Sequence, residues 1–449
     1  MNKIAEQNIY FLGIGGIGMS ALARYFYNKG CRVSGYDKTP SPLTKKLEEE
    51  GILVHYEDEP ALMPEDVDLV ILTPAIPADS KELACLRERG VRIIKRAQVL
   101  GEISRQCDTV AVAGSHGKTT VTSLVSHLLH YAQKPMSAFI GGIAKNINSN
   151  VIIGDENDEV VVMEADEFDR SFLQITPYIS IVTSIDADHL DIYGDEQQVF
   201  EAFNQFVGQT RQDGVVICNQ ALPIVTDRKK LTYGFKDADV MARDVRVKDG
   251  MTKFSVVTSE GFDFGEYKMQ LFGEHNVMNA LAAIIACLQL RLDMKLIREG
   301  LAAFQGVARR FDIRVKEDKV CYIDDYAHHP EEIKASLKAV RTVFPNKKLT
   351  LVFQPHLFSR TNDFMDGFAE ALSLADQLLL MEIYPAREKP IPGVTSSALL
   401  EKISCKEKQI CQKENLIETI KKIKPELIVT MGAGDIDRFV PQIETLLKS

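Results

Sequence analysis

The sequence predicts an α/β protein of three domains, and three observations carry that prediction. Short apolar strands alternate with helix-like stretches along the whole chain. Two glycine-rich loops each follow a strand and open a helix. The 449 residues also exceed what one hydrophobic core holds, with ample apolar content for several. The pattern divides at residues 1–106, 107–312 and 313–449.

In the first block the strand-like runs NIYFLG, CRVSGYD, DLVILT and VRIIK alternate with helix-like MSALARYFYNK and LTKKLEEEG, a rhythm that builds a parallel sheet. GIGGIG at residues 13–18 places Gly13, Gly15 and Gly18 in GxGxxG spacing, with Gly16 between them, and Asp37 ends the next strand. Glycines here permit a tight turn and let backbone approach a pyrophosphate at a helix N-terminus. A dinucleotide, another diphosphate nucleotide and a tight packing turn all fit this loop taken alone.

The second block opens with DTVAVAGSHGKTT, a shortened phosphate loop with Val112 where the full motif has its first glycine. Gly114, Ser115, His116 and Gly117 form the loop, and Lys118, Thr119 and Thr120 begin the helix. Lys118 is placed to neutralise β- and γ-phosphate charge, and the Thr119 hydroxyl to reach Mg²⁺. Downstream, VVVM ends in Glu164 of EADE, and YISIVTSI ends in Asp186, Asp188 and His189. Hard oxygen ligands beside a phosphate loop suit Mg²⁺, which makes Glu164 and His189 metal candidates; a helix cap and a loop histidine are their plainer readings. Asp249-Gly250 between two alternating runs predicts a β-hairpin.

In the third block VCYIDDYAHHP, LTLVFQPHLFSR, QLLLMEIYPARE and LIVTMGAGD are apolar strands followed at once by polar or glycine-rich residues. Ligands gather outside the carboxyl ends of strands in open α/β sheets, so this block is functional as well as structural. Arg309-Arg310 stand between the second and third blocks, where an arginine reaches nucleotide phosphate on domain closure or forms a structural salt bridge.

The formal net charge of −10 and the scattered lysines and arginines argue against duplex DNA or a membrane surface as partner. Eight cysteines without a CxxC pair fit free thiols in a reducing cytosol. The N-terminal apolar stretch is short, glycine-broken and soon followed by Arg24, which reads as a strand rather than a signal peptide, and no apolar run reaches the ~20 residues of a spanning helix.

Taken together, GIGGIGMSALA, GSHGKTT, EADEFDRSFL, DADHLDIYG, GEHNVMNALAA, GVARRFD, DDYAHHPEE, FQPHLFSRT and GAGDI resemble the Mur ligase family in content and order, across nearly the whole chain. The resemblance implies a Rossmann-like N-terminal domain for a UDP-substrate, a central phosphate-loop ATPase domain whose mostly parallel sheet carries a small antiparallel part, and a Rossmann-like C-terminal domain that closes over the site. It implies a bacterial cytoplasmic ligase using ATP and Mg²⁺, with UDP-N-acetylmuramate and L-alanine as substrates, and sets no oligomeric state. By motif, Lys118 would bind ATP phosphates, Thr119 and Glu164 one Mg²⁺ and His189 a second. Asn276 and Asn279 would lie near adenine, Arg310 near phosphate, and Asp325 with His328 near the nucleotide or reacting centre. His328, His356 and Arg360 would face the amino acid. The GIGG loop would hold the diphosphate of a UDP-sugar rather than NAD.

Ser115 stands where the family commonly has Thr, Leu357 where Arg is frequent, and Arg387 where Gly is also seen. A related ligase that attaches a recycled tripeptide to the same UDP-sugar is the nearest alternative. A nicotinamide dehydrogenase would leave GSHGKTT and EADE without a purpose, and a nucleotide-binding switch would leave GIGGIG unexplained.

Overall fold

The structure, a computed structural model, describes residues 7–154, 160–186, 193, 195–386 and 388–448. His189 and Arg387 therefore lie outside the described residues. The α/β expectation holds: three sheets form, each mostly parallel.

The first sheet contains β1 (Asn8–Leu12), β2 (Arg32–Tyr36), β3 (Leu53–His55), β4 (Leu69–Leu72) and β5 (Arg92–Lys95), ordered 3-2-1-4-5 and parallel throughout. Strand order reverses on either side of β1, and the GIGGIG loop leaves its carboxyl end at that switch point. The helix Ile17–Asn28 follows and buries Met19, Leu22 and Phe26.

The second sheet has ten strands: β6 (Asp108–Ala113), β7 (Met136–Ala144), β8 (Ser149–Ile152), β9 (Val160–Glu164), β10 (Ile179–Val182), β11 (Val215–Asn219), β12 (Lys229–Gly234), β13 (Val240–Lys248), β14 (Met251–Thr258) and β15 (Asp263–Met269). Their order is 15-14-13-12-11-10-6-9-7-8. Parallel β10, β6 and β9 are near-continuous apolar runs, as strands covered on both faces require. The expected hairpin lies between β13 and β14, where Asp249 and Gly250 both take positive φ (56° and 70°), the backbone of a two-residue turn matched to strand twist.

The third sheet joins β16 (Asp312–Lys316), β17 (Cys321–Asp325), β18 (Leu349–Phe353), β19 (Gln377–Leu380), β20 (Glu407–Ile410) and β21 (Leu427–Met431) in the order 16-17-21-18-19-20. Only β16 runs antiparallel to its neighbour.

The chain divides into two compact units: Met1–Arg243 with Ser255–Tyr267 and Met278–Phe304, and Asp244–Phe254 with Lys268–Val277 and Gln305–Ser449. Within the first, one apolar core runs from Ile9 to Ile224, so the GIGGIG helix and the second sheet share packing. Tyr25 meets Phe139 edge-on at 5.2 Å. Arg24 on the same helix donates to Asn150 Oδ1 at 2.7 Å, and Asn150 donates back to Ile17 and Ser20. In the second unit, Ile323, Leu351, Phe353, Leu378 and Val429 build the core under the third sheet.

Candidate active site

The shortened phosphate loop connects β6 to the helix Lys118–Tyr131. Gly114 (φ 138°) and Gly117 (φ 84°) take backbone conformations that L side chains disfavour. A Cβ on Gly117 would stand 2.6 Å from Asn279 Oδ1, so the glycine lets the loop close against that helix.

The loop is fastened to the strand end beside it. Thr183 Oγ1, just after β10, donates to the carbonyls of Ala113 and His116. His116 N–H donates to Ser184 Oγ at 2.8 Å, and Asp186 N–H donates to Ser115 Oγ at 2.9 Å. The His116 ring also faces the Asp186 carboxylate at 3.0 Å. Ser115 therefore has a specific partner, which a threonine hydroxyl at this position would share.

Lys118 folds over the loop. Its Nζ donates to Gly114 O at 2.6 Å and pairs with Glu167 at 2.8 Å, both residues being largely buried. Burial works against the Lys118 charge. Glu167 first, then Asp166 and Glu164, outweigh burial and raise the ammonium's pKa above its ordinary value. Lys118 is therefore held charged, on one side by loop carbonyls and on the other by an acidic segment. Glu164 ends β9 and accepts from Gly141 N–H at 3.1 Å. Thr119 and Thr120 are buried in the first helical turn.

Glu167 was not singled out from sequence. Its signal was present: the residue lies three positions beyond Glu164 in EADE, and its carboxylate meets the one lysine of the loop.

At the first loop, Gly13 N–H and Ile14 N–H both donate to Tyr36 O, at 2.8 and 3.0 Å. Gly15 N–H donates to Asp37 Oδ2 at 2.8 Å, and a Cβ on Gly15 would press 2.8 Å from that same oxygen. Asp37 thus shapes the loop directly. Gly16 caps the helix without a side-chain acceptor, leaving first-turn N–H groups for an anion.

In the second unit Asn276, 5% exposed, donates to Phe272 O at 2.8 Å, whereas Asn279 belongs to the first unit. Asp325, buried at the end of β17, accepts from Ser336 Oγ at 2.6 Å and Ala327 N–H at 3.1 Å. Burial lifts its pKa, with Ser336 and then Arg310 opposing. Arg310 lies over Tyr326 at 4.9 Å and faces Glu332 at 3.8 Å; Arg309 lies over the same ring at 5.2 Å and is fixed to Asp324 and Gly432 O. His328 Nδ1 lies 3.2 Å from Glu332. The His356 ring lies 6.3 Å from His328 and stacks on Tyr384.

The His356 pKa is pushed down to about 4, by burial first and then by His328 and Arg360, so the ring is neutral near pH 7. Its Nδ1 is buried with no hydrogen-bond partner among the described residues. Leu357 follows at φ 71°, its N–H donating to Tyr384 O at 2.9 Å. The candidates Arg310, Asp325, His328, His356 and Arg360 thus all lie in the second unit.

Family models describe these same segments. The Mur ligase family catalytic domain matches residues 8–107, the Mur ligase middle domain 112–287 and the Mur ligase glutamate ligase domain 309–434. The chain belongs to the Mur ligase family. Among its Mur ligase relatives, the UDP-N-acetylmuramate--L-alanine ligase of Cytophaga hutchinsonii is 47% identical over 99% of this chain and 98% of its own. The enzyme of that name from Flavobacterium johnsoniae is 47% identical over 100% and 99%. The crystal structure of UDP-N-acetylmuramate-alanine ligase from Thermotoga maritima superposes with a TM-score of 0.85 at 29% identity, covering 99% of each chain. A murein peptide ligase from Psychrobacter arcticus shares the fold at a TM-score of 0.72.

Proposed function

We propose that this chain is the ATP-dependent ligase that joins L-alanine to the lactyl carboxylate of UDP-N-acetylmuramate in the bacterial cytoplasm, a step of peptidoglycan precursor synthesis. The observation that carries the reading is the full-length likeness to enzymes of that name, 47% identical over 99% of the chain. The family-model matches at residues 8–107, 112–287 and 309–434 span both glycine-rich loops and most of the third sheet.

Amide formation from a carboxylate needs activation, and phosphoryl transfer from ATP supplies it as an acyl phosphate. The residues here suit the two demands of that chemistry. Lys118 is held charged at the loop, so its ammonium is placed to meet γ-phosphate. The first-turn amides of the helices that open at Ile17 and at Lys118 suit phosphate oxygens, the latter for ATP and the former for the UDP diphosphate.

The amine of alanine then attacks the acyl carbon and phosphate leaves. We assign its positioning to His328, His356 and Arg360, with Arg310 and Asp325 toward the nucleotide. The buried Nδ1 of neutral His356, with no partner among the described residues, suits a ligand hydrogen bond.

The acidic segment fits a divalent cation. Glu164, Asp166 and Glu167 all act on Lys118, and three carboxylates beside an incoming polyphosphate call for a further positive charge. Thr119 and Glu164 would hold Mg²⁺, which when bound spreads the charge developing on the transferred phosphoryl group. His189 remains the candidate for a second ion.

Phosphate release by purified protein with ATP, Mg²⁺ and UDP-N-acetylmuramate tests the reading across L-alanine, D-glutamate, the tripeptide and no amine. L-alanine-dependent release with a UDP-muramoyl-alanine product by mass is expected. Release only with the tripeptide would transfer the chain to the recycling activity.

A further inference from the structure

Arg96 belongs to neither glycine-rich loop, yet it lies against the first. It begins the helix Arg96–Ser104 after β5, and a Cβ built on Gly18 would stand 3.3 Å from both its Cδ and Cζ and overlap its Nη1. The guanidinium therefore occupies the space beside the first turn of the Ile17–Asn28 helix that the absent side chain of Gly18 leaves open. Its other edge, Nη2, faces Asp166 Oδ2 at 3.7 Å. Asp166 is one of the three carboxylates that act on Lys118. The Arg96 side chain is about a quarter exposed, which leaves donors open to a ligand.

A diphosphate at the first loop needs a cation, because backbone N–H groups offer only partial charge. GIGGIG contains none. An arginine supplies planar paired donors matched to phosphate oxygens.

We propose that Arg96 is a binding residue for the diphosphate of the UDP-substrate and that Asp166 is its positioning residue, holding the guanidinium over Gly18. This rests on the function proposed above. The glycine at position 18 then has a second reason: it is the gap through which Arg96 reaches the helix N-terminus.

Calorimetric binding of UDP-N-acetylmuramate and, separately, of ADP tests this on the full chain. R96A is expected to weaken UDP-N-acetylmuramate by about 10- to 100-fold, the range for a lost hydrogen bond to a charged group, with ADP affinity within about twofold of native. D166N should weaken it several-fold, and the double variant no more than R96A alone, since Asp166 acts through Arg96. The salt dependence of UDP-N-acetylmuramate binding should flatten in R96A. Should R96A not fold, R96Q keeps the bulk and carries the same expectations.

Native-like UDP-N-acetylmuramate affinity in the arginine variants would overturn the inference, and so would equal loss of both ligands. A D166N loss that adds fully to that of R96A would overturn the positioning role. A native chain that binds ADP but not UDP-N-acetylmuramate would overturn the proposed function itself, and this inference with it.

Discussion

The two phosphate loops solve one problem in opposite ways. The second loop carries its own cation: Lys118 is adjacent to Gly117 in sequence and bonded to Gly114 O in space. At a neighbouring strand end the Thr183 and Ser184 side chains fasten its backbone, and the Asp186 N–H holds the Ser115 hydroxyl. The first loop is fixed from β2, by Tyr36 O and the Asp37 carboxylate, and the nearest arginine comes from a different strand–helix unit. A loop that handles a reacting γ-phosphate needs a charge held rigidly in place. One that grips a spectator diphosphate needs shape first, and charge from wherever the fold supplies it.

The sharpest way to break this comparison is to remove the resident cation. Lys118→Ala is expected to lower turnover by at least ~10²-fold, the scale for losing a preorganised charge contact in the transition state, measured as L-alanine-dependent phosphate release. UDP-N-acetylmuramate affinity should be nearly unchanged. Equal losses in both would mean that the loops are not separable.

Next in size is a change of loop shape. Gly117→Ala puts a Cβ at φ 84° and 2.6 Å from Asn279 Oδ1. It should cost about 1–3 kcal/mol of strain, seen as a lower urea midpoint and weaker ADP binding. At the first loop, Asp37→Asn removes the charge from the Gly15 N–H acceptor. It should weaken UDP-N-acetylmuramate by roughly tenfold or less and leave ADP titrations untouched.

Much of this was legible in the sequence because both loops rest on backbone conformations only glycine adopts freely, and glycine spacing is visible in one dimension. The α/β class and the Asp249-Gly250 hairpin were legible for the same reason, strand and turn chemistry being local. Arg96 and Glu167 were not read, since charge pairing is settled by which strand ends lie side by side. The 3-2-1-4-5 order brings Arg96 across to Gly18, and nothing in VRIIKRAQ announces it. Asp37 ends its strand where a ligand-binding acid is expected, and its carboxylate also accepts from the Gly15 and Thr39 N–H groups, so it shapes the loop as well.

The smallest effect on the reaction comes from the buried carboxylates, which differ between the loops as their cations do. Near the second loop Glu167 is paired with Lys118. Under the first sheet the fully buried Glu82 has no lysine or arginine partner among the described residues: it accepts from Tyr10 OH at 2.6 Å and Glu59 N–H at 3.0 Å, with the His55 ring 3.5 Å away and Asp58 bonded to its own N–H. Burial pushes its pKa up to about 7 from 4.5, Tyr10 and the Glu59 N–H opposing, while Asp58 and Glu59 add to the rise; burial also lowers that of His55. A carboxyl raised on folding stabilises the fold fully below pH 4.5 and loses that contribution as pH climbs through about 7. At about 1.4 kcal/mol per pKa unit the swing is at most ~3 kcal/mol. Glu82→Gln, neutral throughout, should flatten unfolding free energy between pH 5 and 8 in urea titrations while leaving turnover at pH 7.5 unchanged. An unaltered pH profile would mean that Glu82 stays ionised in the fold, with the Tyr10 and Glu59 bonds sufficient to hold its charge.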